Sequence, residues 1–413
     1  MASSNTLLKH ALILDTETLG LKRGVPIHEI AIYSFDKREA YEYLMKPRMI
    51  EIAGTTAQDF TRLSSSASDL HSARRFKDWR EAIKAVAAMH VNQDISKMQT
   101  EKDVKAALAQ TNEFLYNNLF GEDAKYQHLW TGEVNPASQA QRYQELRKLG
   151  INVTSKAQQN IEDLLKPGGL LGSVNKTNQQ GTTLWIANAG FEGKQLGAQL
   201  GAMGEDAIKA FKSQLETSSA SADPLYVTGV RVNQARAEAQ LTGDWTHVWK
   251  AYKQNAPKVG EVAVRDIQDV TRSMISWGKK LGFIEAQDQN YGHTIDLQYR
   301  LLGSTEKNPD TARTMLGTRE AHHALEDAAI SEKYVLEKSI YFNEALEEAA
   351  TGTKLGQEYL EQAKNKTGPL YEFGQYATRR QAVMPTIEKI AAVQRLERGS
   401  IDLETEGKTW QHT

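Results

Sequence analysis

Ala11-Leu12-Ile13-Leu14-Asp15-Thr16-Glu17-Thr18 decides how the chain is read. The first four residues form a short, unbroken apolar run, the signature of a central strand covered on both faces. The run stops at Asp15-Thr16-Glu17, and Gly20 breaks it. Outward from there, Glu29 to Phe35 is again rich in β-forming residues, and Asp36-Lys37-Arg38 reads as a turn into Ala40 to Met45, closed by Pro47. Three strands in such close succession predict an antiparallel meander opening a mixed sheet. A second buried strand is expected at Thr183 to Ala187, followed by a helix over Gly190 to Met203.

The rest of the chain is mostly helical in pattern. Asp78 to Met89 carries Trp79, Ile83, Val86 and Met89 at helical spacing. Asp103 to Leu119, Val262 to Leu281 and Thr318 to Ile340 also read as helices, and Thr217 to Asp223 reads as a linker. The expected organisation is an α/β core from residues 1–50, 182–205 and 285–345. A helical insertion occupies 51–181, a second, mainly helical one 206–284, and a polar extension 346–413, read as a peripheral appendage. No internal repeat is visible.

Composition narrows the chemistry. With 413 residues, 40% of them hydrophobic, the chain can bury a sizeable core in two or three domains, or in one domain carrying large insertions. It contains no cysteine, which excludes disulfides, thiolate zinc sites and cysteine nucleophiles. Metal ligands must then be oxygen or imidazole, a donor set suited to magnesium or manganese. The net charge of −2 advertises no polyanionic partner. It leaves room for a nuclease whose own metal ions supply local positive charge. With no apolar stretch of membrane-spanning length, the expectation is a soluble, cytoplasmic protein with no membrane partner.

Three groups of residues carry potential chemistry. Strand alternation turns Asp15 and Glu17 to one face, where two carboxylates repel unless a divalent cation neutralises them. A solvated strand end explains an isolated Asp-x-Glu equally well. Asn188-Ala189-Gly190-Phe191-Glu192 follows the second strand and sets a carboxylate at a helix start, where the helix dipole alone would favour it. Ala321-His322-His323-Ala324-Leu325-Glu326-Asp327-Ala328 separates His322 and Asp327 by five helical steps, only loosely on one side. They converge if His322 precedes the helix. Polar residues on a solvated helix start are the alternative.

Taken in order, LDTETLGL, IANAGFE and AHHALEDA resemble the three motifs of the DEDDh exonucleases, a family that includes proofreading subunits of bacterial replicative polymerases, RNase T and oligoribonuclease. Thr18, Gly20 and Leu21 fit the first motif, Glu29-Ile30-Ala31 the strand after it, and His293 to Leu297 the segment before the third. The resemblance covers well under half of the chain. It implies an RNase H-like mixed sheet flanked by helices. It also implies a two-ion magnesium or manganese centre: Asp15, Glu17 and Asp327 on one ion, Asp15 bridging to a second, and Glu192 near that one. His322 would be the general base, and His323 falls at a variable position of the motif. Glu192 stands where the family usually has Asp. One extra methylene keeps the charge but moves it by more than an ångström, on the order of a shift that can cost ~100-fold in rate. Altered metal preference is therefore expected.

The implied reaction is 3′–5′ hydrolysis of single-stranded or frayed DNA, with RNA as the alternative substrate. A non-catalytic assembly module is the other alternative. Thr18, Leu19, Leu21, Asn188 and Phe191 would contact nucleic acid, Leu19 and Leu21 by wedging against the terminal base. Arg74, Arg75, Lys77, Arg80 and Lys84, interleaved with Phe76 and Trp79, suit a single-stranded path, whereas an amphipathic helix with Trp79 in the core explains them equally well. Arg379, Arg380, Arg395 and Arg398 form a weaker basic candidate. A polymerase or larger particle is the expected partner of the insertions, and the Cys-free, insertion-rich chain suits a phage-encoded protein.

Overall fold

The computed structural model describes residues 7–20, 24–52, 71–122, 124–133, 136–165, 169, 181–202, 230–257, 262–286, 295–303 and 323–383. The chain divides into two compact units, Met1–Ser273 with Glu320–Glu337, and Met274–Arg319 with Lys338–Thr413.

The first unit is built on a mixed sheet. Strands β1 (Ala11–Thr18), β2 (Ile27–Ser34) and β3 (Glu39–Met45) form the expected antiparallel meander. A short ribbon, β4 (Arg48–Ile52) with β5 (His71–Arg75), stands apart from it. Strands β6 (Asn152–Gln159), β7 (Thr182–Ile186) and β8 (Val262–Asp266) complete the order β6-β3-β2-β1-β7-β8. The pairs β3–β6, β1–β7 and β7–β8 are parallel.

Two of these strands come from segments read as helical insertions. Val262 to Leu281 is not one helix: Val262–Asp266 pairs with β7, and the helix begins at Ile267. Its buried, β-branched start satisfies its backbone groups on the sheet, a partner that local periodicity does not reveal. Likewise β6, mostly exposed, is held at the sheet edge by β3.

β1 lies between the meander and the parallel strands, so the direction of chain winding reverses beside it. Its pairing with β7 ends at Leu14↔Ile186, while its pairing with β2 continues to Thr18. Asp15 to Thr18 therefore project past the parallel neighbour at the carboxyl end of the sheet, where open α/β sheets place ligands.

One apolar layer joins Leu12 and Leu14 to Ile30, Ile32, Leu184 and Ile186, and to Leu196 of the helix Ala189–Gly201. A second core belongs to a helical block: α1 (Trp79–His90), α2 (Glu101–Thr111), α3 (Glu113–Phe120) and α4 (Gln127–Thr131). Asp78 caps α1 by accepting from the Glu81 N–H at 2.9 Å. The expected helix over Asp103 to Leu119 is two, split at Asn112, whose side chain caps the second by accepting from the Leu115 N–H. Further helices follow as α5 (Pro136–Lys148), α6 (Ile161–Leu165), α7 (Ala189–Gly201), α8 (Val230–Thr242), α9 (Thr246–Gln254) and α10 (Ile267–Lys280).

The second unit contains α11 (Ile295–Gly303), part of the long helix α12 (Glu332–Thr351), α13 (Lys354–Lys364) and a helix over 368–383. Residues 354–383 are not a peripheral appendage. Leu370, Phe373 and Tyr376 are fully buried, and the Phe373 ring meets those of Phe283, Phe342 and Tyr376. The Tyr376 hydroxyl donates to Gln298 Oε1 at 2.8 Å, so α11, expected in the α/β core, packs with the tail helices instead. Apolar residues spaced along a polar segment were enough to build this core once the partner helix was supplied. No helix among the described residues is long and apolar enough to cross a membrane.

Candidate metal centre

Asp15, Glu17 and Asp327 converge. One carboxylate oxygen from each lies within 4.8 Å of the others. Alternation on β1 turns Asp15 and Glu17 to the same side, and Asp327 arrives from the opposite end of the unit's sequence. It sits after a single helical turn, Ala324–Glu326, which leads into a π turn, Asp327–Ser331, and then α12.

A buried polar cluster fixes that approach. Glu29 on β2 lies opposite Glu17 in register. Its carboxylate accepts from the Leu325 N–H at 3.0 Å and lies 3.3 Å from His323 Nδ1. Burial would raise the Glu29 carboxyl, but the hydrogen bond and charge of His323, with the charge of Arg142, outweigh it and hold it at about 2. Arg142 on α5 links three acids: Glu42 at 3.2 Å, Glu326 at 3.2 Å and Glu29 at 3.7 Å. On the other side, the Tyr126 hydroxyl donates to Glu17 Oε2 at 2.8 Å and orients that carboxylate.

The electrostatics suit a cation. Asp15 is pushed well above the usual carboxylate range, first by burial and then by the charges of Glu332, Glu17, Glu192 and Asp327. Hard oxygen donors packed this closely are what magnesium, manganese or calcium accept, and such an ion would offset the repulsion directly.

Glu192 is not in this group. Its carboxylate accepts from Thr16 Oγ1, and Thr16 alternates to the side of β1 opposite Asp15 and Glu17. It is buried at 4% exposure, and burial raises its carboxyl to about 8 against the opposing hydrogen bond from Thr16. The turn before it is held by Asp266 at the end of β8, which accepts from the Asn188 and Ala189 N–H groups at 3.4 and 3.2 Å. Asn188 itself takes φ +68°, a left-handed conformation that Asn tolerates better than most residues. Phe191 is partly buried beside it.

Several expected nucleic-acid contacts are engaged otherwise. Leu19 is fully buried in the core of the helical block, where apolar burial outweighs display as a wedge. Thr18 Oγ1 donates to the Gly20 carbonyl at 2.7 Å and shapes the turn. Trp79 is partly buried, packs against both cores and meets the His28 ring at right angles, and Phe76 is buried. Arg75 pairs with Glu162 at 2.8 Å, Arg74 lies over the Phe76 ring, and Arg80 donates to the Trp130 carbonyl. Arg380 is fully buried, which removes it from a basic surface, and the partly buried Arg379 donates to the Leu301 carbonyl. His322, Leu21, Arg395 and Arg398 lie outside the described residues.

Tyr126, Arg142 and Glu332 were not legible in the sequence, because no motif surrounds them. Comparison of the chain with protein-family models, with curated proteins and with solved structures gives no match.

Proposed function

We propose that this protein is a metal-dependent 3′–5′ exonuclease of the DEDDh type, acting on single-stranded or frayed DNA. The observation that carries the reading is the convergence of Asp15, Glu17 and Asp327, each from a motif that resembles that family. The meander entering a helix-flanked mixed sheet supports the RNase H-like core that the resemblance implies.

A divalent ion pair, when bound, supplies charge relief at the attacking and leaving oxygens of a phosphodiester. Asp15, Glu17 and Asp327 hold that charge at the carboxyl end of the sheet. Tyr126 keeps Glu17 in place, and Glu29 with Arg142 fixes the turn that presents Asp327. By the resemblance, His322 takes the proton from the attacking water, a task a histidine performs near neutral pH. By the resemblance, Glu192 would stand near the second ion, and Thr16 fixes its carboxyl in place.

Digestion of 3′-labelled and 5′-labelled single-stranded DNA and RNA, with Mg2+, Mn2+ or EDTA, tests the reading. Metal-dependent release of mononucleotides from the 3′ end is expected, faster from DNA. Faster release from RNA would assign an exoribonuclease. Folded protein that binds metal but releases nothing would assign a non-catalytic assembly module.

A further inference from the structure

We propose that Glu332 is a fourth carboxylate ligand of this metal centre, carried onto the Asp327 side of the helix by the π turn. The proposal rests on the metal-dependent reading of the site and adds a ligand outside all three motifs.

The backbone geometry comes first. In an α-helix five residues advance about 1.4 turns, which would send Glu332 some 140° away from Asp327. Here Asp327–Ser331 is a π turn, and the Glu332 N–H donates to the Asp327 carbonyl. The wider i→i+5 turn cuts that angle, so residues 327 and 332 lie much closer to one side than an α-helix would place them. Single π turns inside α-helices recur where function needs a side chain moved by one position. This one lies directly at the acid that the third motif supplies.

The side chain is the second, independent observation. Glu332 is 2% exposed, and its Oε2 is buried without any hydrogen-bond partner. A carboxylate oxygen left so costs free energy unless a cation or donor reaches it. Burial, and then the charges of Asp327, Glu192, Glu17 and Asp266, press against its ionisation. In turn, Glu332 is the largest single charge acting on Asp15. An acid with an unsatisfied buried oxygen, near enough to act on Asp15 though outside the 4.8 Å group of Asp15, Glu17 and Asp327, has the unmet valence of a ligand. An apolar side chain would fill the same space without that cost, and coordination gives a reason for a carboxylate there.

The test is Mn2+ binding to the full chain, followed by calorimetry and by the electron paramagnetic resonance of free Mn2+. Four proteins are compared: the unaltered chain, Glu332→Gln, Glu332→Asp and Asp15→Asn. Glu332→Gln should weaken Mn2+ at least tenfold or remove one ion from the stoichiometry, with Glu332→Asp between it and the unaltered chain. Metal-free Glu332→Gln should melt at or above the unaltered protein, since an acid crowded by other acids is gone. Unchanged binding in Glu332→Gln, with loss in Asp15→Asn, would overturn the role of Glu332 and leave the centre standing. A metal-free Glu332→Gln that melts well below the unaltered chain would also overturn it, by showing a structural acid. No Mn2+ binding by the unaltered chain would overturn both the proposal and the metal-dependent reading.

Discussion

Replacing Arg142 with methionine should damage the first unit more than any other single surface-helix substitution. Its guanidinium lies 3.2 Å from Glu42, 3.7 Å from Glu29 and 3.2 Å from Glu326. Glu42 and Glu29 are 0% and 1% exposed, so removing the arginine strands two buried carboxylates. Breaking such a pair from one side costs about 3–5 kcal/mol. The Glu326 arm is more exposed and adds less than about 1 kcal/mol. Glu42 keeps Tyr143 and Ser155 as donors, and Glu29 keeps His323 and the Leu325 N–H, which holds the loss to that range. In melting temperature this is a fall of roughly 10 °C. Urea unfolding followed by circular dichroism reads the free energy. Lysine at 142 should recover only part of it, because a single ammonium cannot bridge three acids. A methionine variant within 1 kcal/mol of the unaltered protein would refute the argument that Arg142 neutralises this cluster.

Four further outcomes are expected. Asp15→Asn should abolish hydrolysis, melt at or above the unaltered protein without metal, and lose the stabilisation of about 2.7 kcal/mol that a ligand at a hundred times its Kd provides; thermal melts with and without Mg2+ check it. Tyr126→Phe removes the hydroxyl that orients Glu17 and should weaken Mn2+ on the order of tenfold, read by titration. Glu29 is held at about 2, so its ionised form contributes up to about 3 kcal/mol, present above pH 4.5 and lost as pH falls toward 2; the stability gap between the unaltered chain and Glu29→Gln should close over that window in urea titrations. In the second unit, a Cβ at Gly278 would sit 2.7 Å from the buried Phe373 ring, so Gly278→Ala should cost about 1–3 kcal/mol by overpacking, measured by thermal unfolding.

The sequence by itself determined the elements whose code is local. The apolar run of β1, the turn at Asp36 to Arg38 and the alternation of Asp15 with Glu17 are written in neighbouring residues, and the meander followed from them. The periodicity of α1 was equally plain, and with it the burial of Ile83 and Val86. Order along the chain also singled out Asp327 as a companion of the first acids. Tertiary structure alone decided the rest. Val262–Asp266 became a strand because β7 offered it a hydrogen-bonding edge, which the helix-like sequence after it concealed. Leu19 went inward because the helical block supplied apolar surface that no nearby residue announces. The hydrogen bond from Thr16 to Glu192 joins two segments 176 residues apart, a contact that neither motif announces. The change of helical hydrogen bonding at Asp327 is an adjustment of one residue that side-chain spacing does not record.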